Sequence, residues 1–143
     1  ETFTPEGREF VPGKAEVLSE GTDVGLITTG ITTLQGIYAT EELEKLGISV
    51  RHVHMPSIKP IDRKAIAETA AKTKLIVTAE NHTIYGGLGS AVAEVLCEDY
   101  PARLVRLGLQ DHFGETAKLA YMMHKYGIDA EAMVEKIRSL MQK

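Results

Sequence analysis

The sequence predicts an α/β three-layer sandwich built on a mainly parallel five-stranded sheet, and three observations carry that expectation. Short runs of branched and apolar residues recur along the chain, segments with helical spacing separate most of them, and capping or turn residues mark the joints. Such alternation implies parallel strands joined by right-handed crossovers, with helices covering both faces of the sheet.

Residues 1–12 are polar and interrupted by proline, and read as a linker or N-terminal arm in which Phe3 and Phe10 offer packing groups; residues 13–143 read as one domain. The run 14–18 is the weakest strand and lacks a preceding crossover in this chain, so it is the candidate edge or antiparallel member. After the strand 24–28, Thr32-Thr33-Leu34-Gln35 opens a helix in which Thr32 accepts a backbone hydrogen bond and Gln35 returns one. Leu34, Ile37, Tyr38 and Leu46 supply much of its inward face, and Gly47 stops it.

A strand over 49–55 follows, and Asp62 caps a second helix that runs to Lys72. The strand 75–79 leads through a glycine-rich turn into a helix over 87–98, with Leu88, Ala91, Val92, Val95 and Leu96 facing a core and Pro101 ending the segment. Beyond the strand 104–109 the pattern changes to two successive helices, 116–126 and 130–140, with Asp129 as the cap between them. Leu119, Met122, Met123 and Tyr126 form one apolar stripe, and Met133, Val134, Ile137, Leu140 and Met141 form the other.

A chain of 143 residues suits one sizeable core. Its 16 basic and 20 acidic residues are interspersed, so neither a nucleic-acid footprint nor a polybasic membrane patch is present. The apolar runs are too short to cross a bilayer and the start is no secretion signal, which together predict a cytoplasmic location. Cys97 is the single cysteine, and its place in an apolar helical run reads as a small buried side chain. The chain opens on Glu1 and not methionine, as a processed chain or a piece of a longer protein would.

Ligands of parallel α/β sheets meet loops at the carboxyl ends of the strands, so three loops are candidates. Thr28-Thr29-Gly30-Ile31-Thr32-Thr33 places hydroxyls before a helix N-terminus, but without the spacing of a dinucleotide or lysine-containing phosphate loop, and reads first as capping and turn structure. Met55-Pro56-Ser57-Ile58-Lys59-Pro60-Ile61-Asp62 reads as a rigid crossover in which Lys59 offers a charge to a partner domain or an anion. The third is Glu80-Asn81-His82-Thr83-Ile84-Tyr85-Gly86-Gly87-Leu88-Gly89-Ser90. An extended backbone there would set Glu80 beside His82 to fix its tautomer, and Gly86, Gly87 and Gly89 allow a tight turn into a helix whose first turn holds Ser90. A polar loop or a subunit contact is the favoured account of that stretch, ahead of anion binding and of acid–base chemistry.

His52 and His54 share a strand face, a pair able to hold metal but without a third ligand at recognisable spacing, so strand packing is preferred. Asp111-His112-Phe113-Gly114-Glu115 sets acid beside base in a loop, which alone defines no catalytic geometry. No residue is assigned a catalytic, cofactor-binding or metal role.

Several stretches, in order, resemble the C-terminal domain of transketolase-type, thiamine-diphosphate-dependent enzymes. They are Gly13-Lys14-Ala15-Glu16-Val17-Leu18, Thr28-Thr29-Gly30, Gly47-Ile48-Ser49-Val50-Arg51, Lys59-Pro60-Ile61-Asp62, the stretch from Glu80 to Glu94, and Gly108-Leu109-Gln110-Asp111-His112-Phe113-Gly114-Glu115 followed by Tyr126-Gly127-Ile128-Asp129-Ala130-Glu131. The resemblance covers nearly the whole chain, and its two final helices favour transketolases and their sister, 1-deoxyxylulose-5-phosphate synthase, over the beta subunits of 2-oxo-acid dehydrogenases.

What the resemblance implies is a third, assembly and subunit-interaction domain of an enzyme that moves a two-carbon ketol unit from a ketose phosphate to an aldose phosphate. It also implies thiamine diphosphate and magnesium in the parent enzyme, held between upstream pyrophosphate and pyrimidine domains or a separate N-terminal subunit, commonly in a dimer. The family's Gly-Asp-Gly diphosphate motif does not occur in this chain. The isolated domain is therefore expected to be inactive and to hold neither cofactor, as part of a homo-oligomer or split-subunit assembly. The alternatives are the C-terminal domain of the synthase, a stand-alone small-anion-binding regulatory module, and a hydrolase using His82 or His112.

Overall fold

A computed structural model describes residues 9–142. Five strands, β1 (Glu16–Ser19), β2 (Val24–Thr28), β3 (Val50–His54), β4 (Leu75–Thr83) and β5 (Leu104–Leu109), form one sheet in the order β1-β3-β2-β4-β5. Four strands run parallel and β1, the expected edge or antiparallel member, pairs antiparallel with β3 at the edge. The expected arm over 1–12, with Phe3, falls largely outside the described residues, and Phe10 stands exposed.

The helices are α1 (Thr32–Lys45), α2 (Arg63–Lys72), α3 (Leu88–Glu98), α4 (Leu119–Lys125) and α5 (Ala130–Met141). On one sheet face Ile66 and Ala70 of α2 and Leu88, Val92, Val95 and Leu96 of α3 pack on Ile27, Val53 and Ile76. On the other, Leu43 of α1 and Ile137 of α5 cover Val24, Leu26, Val50 and Val77. The result is the three-layer sandwich, and β2 at its centre is buried throughout because both its faces are covered.

The Asp62 and Asp129 caps form as expected, accepting from Ala65 N at 3.0 Å and Ala132 N at 2.9 Å. The opening of α1 differs. Its cap position is Ile31, without a side-chain bond, and Gln35 Oε1 reaches across to accept from Ala130 N at 3.0 Å, tying α1 to α5. The inward face of α1 is also rotated from the expected one: Thr33, Gly36, Ala39, Thr40 and Leu43 are buried, whereas Tyr38 and Leu46 are exposed. Gly36 is what sets this phase, since a Cβ there would lie 2.7 Å from the His52 ring. Cys97 is exposed, not buried, because it follows Leu96 around the helix onto the solvent side of α3. The helix expected over 116–126 shortens to α4, in which only Met123 is buried and Leu119 is 60% exposed, so that stripe is not a core face.

Candidate functional site

The carboxyl ends of β2, β3 and β4 bring the three sequence-chosen loops to one edge of the sheet. In the third, β4 continues past Ala79 with a break in its register against β5 before Thr83, and the alternation fails there. Glu80 turns inward, 1% exposed, while His82 turns out to solvent and sets its Nδ1 3.0 Å from the Thr83 carbonyl. The Glu80–His82 pair expected from an extended backbone is therefore not formed.

Glu80 instead accepts from Leu88 N through Oε2 at 2.7 Å and from Gly89 N through Oε1 at 2.8 Å. These are free N–H groups of the first turn of α3, so the carboxylate occupies the place where a bound anion would lie. Gly87 is required by this contact and not by its backbone, since any Cβ there would overlap Glu80 Oε2. The turn closes on itself: Gly86 N donates to Ser90 Oγ at 2.9 Å, Ser90 Oγ donates to the Ile84 carbonyl at 3.0 Å, and Arg106 donates to the same carbonyl at 2.8 Å. The Arg106 guanidinium also lies 5.7 Å from the centre of the exposed Tyr85 ring. We expect Glu80→Gln to destabilise the domain by about 1–3 kcal/mol, because one amide cannot accept from both N–H groups and its NH2 would face a buried donor; urea unfolding measures it.

The first loop joins the histidine pair. Thr28 donates to Thr33 Oγ1 at 3.0 Å, which uses its only proton, so the 2.8 Å contact with His52 has Nε2–H of the ring donating to Thr28. Thr33 can then donate to His54 Nδ1 at 2.9 Å. Burial, with His54 second, pushes His52 down to about 3, which keeps it neutral. Thr32 Oγ1 lies 2.7 Å from the carbonyls of both Thr29 and Ala79, fastening this loop to β4. The histidines are thus bonded to threonines, and among the described residues no group of three or more His, Cys, Asp or Glu is arranged to hold a metal. The sequence showed both clusters, but not that the fold makes them one chain of four side chains.

In the second loop Ser57 donates to the Pro60 carbonyl at 2.6 Å and accepts from Gly13 N at 2.8 Å, and Asp62 accepts from Ala15 N at 3.0 Å as well as capping α2. That is a rigid crossover with Lys59 exposed at its tip. Residues 111–115 are exposed; the His112 ring lies 6.3 Å from that of Tyr126, and Glu115 pairs with Lys125 at 2.5 Å, so acid and base are directed to different partners.

These loops do not fit a diphosphate and its metal ion. The two N–H groups at the start of α3 are taken by Glu80, and the hydroxyls of Thr28, Thr32 and Thr33 are used inside the fold. What the edge offers is a closed, internally bonded surface.

A family model described as "Transketolase, C-terminal domain" matches residues 13–133. The chain is 43% identical over 129 residues to the 6-deoxy-6-sulfo-D-fructose transketolase subunit SqwH of Clostridium sp. (strain MSTE9), covering 90% of this chain and 40% of that protein. It is 39% identical over 127 residues to 1-deoxy-D-xylulose-5-phosphate synthase 1 of Geobacter sulfurreducens, covering 87% of this chain and 20% of that one. A solved structure described as "Split gene transketolase, inactive beta4 tetramer" superposes with a TM-score of 0.90 at 44% identity, over 99% of this chain and 46% of that chain. The chain therefore spans less than half the length of these relatives.

Proposed function

Because the chain belongs to the family of transketolase C-terminal domains, we propose that it is the assembly and subunit-interaction domain of an enzyme transferring a two-carbon ketol unit from a ketose phosphate to an aldose phosphate. The observation that carries this reading is the internal occupation of the α3 N-terminus by Glu80, which turns the glycine-rich turn into a shaped surface and not a ligand cradle. In this reading residues 13–143 are the domain and 1–12 a connecting arm, and thiamine diphosphate and magnesium are held in the cytoplasmic parent enzyme by pyrophosphate and pyrimidine domains. Those domains lie upstream in the same chain or on a separate N-terminal subunit, an arrangement supported by likeness to a split-gene transketolase. Lys59, exposed at the tip of a rigid crossover, is a charge available to that partner.

The second reading, the C-terminal domain of a 1-deoxyxylulose-5-phosphate synthase, is favoured by the 39% identity to such an enzyme. The higher identity, 43%, to a transketolase subunit favours the first. The test supplies the pyrophosphate and pyrimidine domains, with thiamine diphosphate and magnesium, and follows ketol transfer between sugar phosphates. We expect transfer only when both parts are present, and no cofactor binding by residues 1–143 in calorimetry. Tight stoichiometric binding and turnover by this chain alone would overturn the proposal, and formation of 1-deoxyxylulose 5-phosphate would select the synthase.

A further inference from the structure

The sheet ends on β5, and the register of β4 against β5 fixes which of its backbone groups are left over. Ile76 N donates to the Arg103 carbonyl at 2.9 Å and Ile84 N to the Leu109 carbonyl at 3.0 Å. Odd-numbered residues of β5 thus turn their N–H and C=O toward β4, and Leu104, Arg106 and Gly108 turn theirs outward. Natural sheets blunt such edges with proline, lysine or bulges. Leu104-Val105-Arg106-Leu107-Gly108-Leu109 has neither proline nor lysine, and its register is unbroken from Leu104 to Leu107. Beside the edge runs a groove of about 710 Å³ between β5 and α5, with Val105 and Leu107 at its floor and Glu135 and Lys136 on its wall.

We infer that the outer edge of β5 pairs antiparallel with β5 of a second copy of this chain, about a twofold axis at Leu107. The choice of occupant rests on self-complementarity of charge and pleat. A twofold at Arg106 would set two guanidinium groups directly opposite each other, which is unfavourable. Moving the axis one residue to Leu107 keeps the outward backbone groups in register, places Arg106 opposite Gly108 of the second copy, and sets Leu107 against Leu107 and Val105 against Leu109 on the groove side. Arg106, which also lines the groove, keeps its bond to Ile84, and the remaining charged lining residues, Glu135 and Lys136, are one acid and one base, a set that a twofold can pair with itself. Among the described residues, only the contact from the Gln110 side chain to the Gly108 carbonyl, at 3.3 Å, must yield. The inference goes beyond the proposed pairing with cofactor-binding domains and does not depend on it.

Two variants of residue 106 separate edge pairing from side-chain effects. Arg106→Pro deletes an outward N–H while leaving the β4 ladder intact, and Arg106→Ala deletes the side chain but keeps the edge. Sedimentation equilibrium of the 143-residue chain is expected to show a dimer or a multiple of it, halved in mass by Arg106→Pro and unchanged by Arg106→Ala. In a Cys97→Ser background, Leu107→Cys places two thiols across a non-hydrogen-bonded pair, about 4.5 Å between Cα atoms and within disulfide reach. Mild oxidation should then yield a covalent dimer. A monomeric parent chain, a folded Arg106→Pro variant of unaltered mass, or failure of the Leu107→Cys variant to cross-link would each overturn the inference; cross-linking decides should the proline variant not fold.

Discussion

Gly87→Val is expected to leave the domain largely unfolded or unable to assemble, with the loss of most of its cooperative thermal transition. The branched side chain would take the space of Glu80 Oε2 and crowd the Thr83 carbonyl at 3.0 Å. Because Glu80 is fully enclosed and bonded to Leu88 N and Gly89 N, it has no open direction in which to retreat. Losing two charge-assisted hydrogen bonds costs about 1.5–3 kcal/mol each, and overpacking adds about 1–3 kcal/mol. Together these approach the whole stability of an ordinary domain, about 5–15 kcal/mol. Gly86→Ala is the control: it sits at φ +75° with nothing within 4 Å, so only backbone strain of about 1–2 kcal/mol applies. Equal melting temperatures for Gly87→Val and Gly86→Ala would show that Glu80 does not fix the turn.

The contrast between those two glycines also marks how far the sequence was readable. Strand–helix alternation gave every strand and the antiparallel edge, because apolar runs and short polar joints report burial directly. The caps at Asp62 and Asp129 were readable for a similar reason: the side chain bonds within its own turn. Long-range bonds were not. Gln35 looked like half of a capping box but accepts from Ala130, and Glu80 looked like the partner of His82 but caps α3, since the break in register after Ala79 reverses the alternation. The inward face of α1 was misphased because its closest approach to the sheet uses Gly36, a residue without apolar signal, over His52. Cys97 and the α4 stripe erred oppositely: apolar residues placed at helical spacing need a covering layer, and there the described residues supply little. The site followed the same division. Its loops were located by strand ends, while its closed character depends on hydrogen bonds between segments that are distant in sequence.

The domain is expected to lose stability steeply as pH falls from 6.5 toward 3, with His52 responsible for the upper part of that range. His52 is neutral and enclosed in the fold, pushed from the ordinary 6.5 down to about 3 by burial first and by His54 second. For a folded-state value below the unfolded one, the unfolded chain binds the proton first. Stability is therefore complete above 6.5, falls with decreasing pH by about 1.4 kcal/mol per unit, and reaches a loss on the order of 4–5 kcal/mol near pH 3. Glu20, Asp23 and Asp99 are held below the usual carboxylate values by hydrogen bonds to Arg51, Lys74 and Arg63, so their contributions disappear only as pH drops below their unfolded values of 4.5, 3.8 and 3.8. His124 is raised by its hydrogen bond to Asp129 and acts with the opposite sign: its contribution is full below 6.5 and fades as pH rises through its folded value. The interval from 4.5 to 6.5 thus isolates His52 among these shifted groups. His52→Gln keeps an amide N–H able to reach Thr28 but cannot titrate, so urea unfolding across that interval should show a slope near one proton for the parent chain and a nearly flat line for the variant. Parallel slopes in the two proteins would mean that His52 takes up its proton within the fold, with the Thr28–Thr33 chain rearranging to accept it.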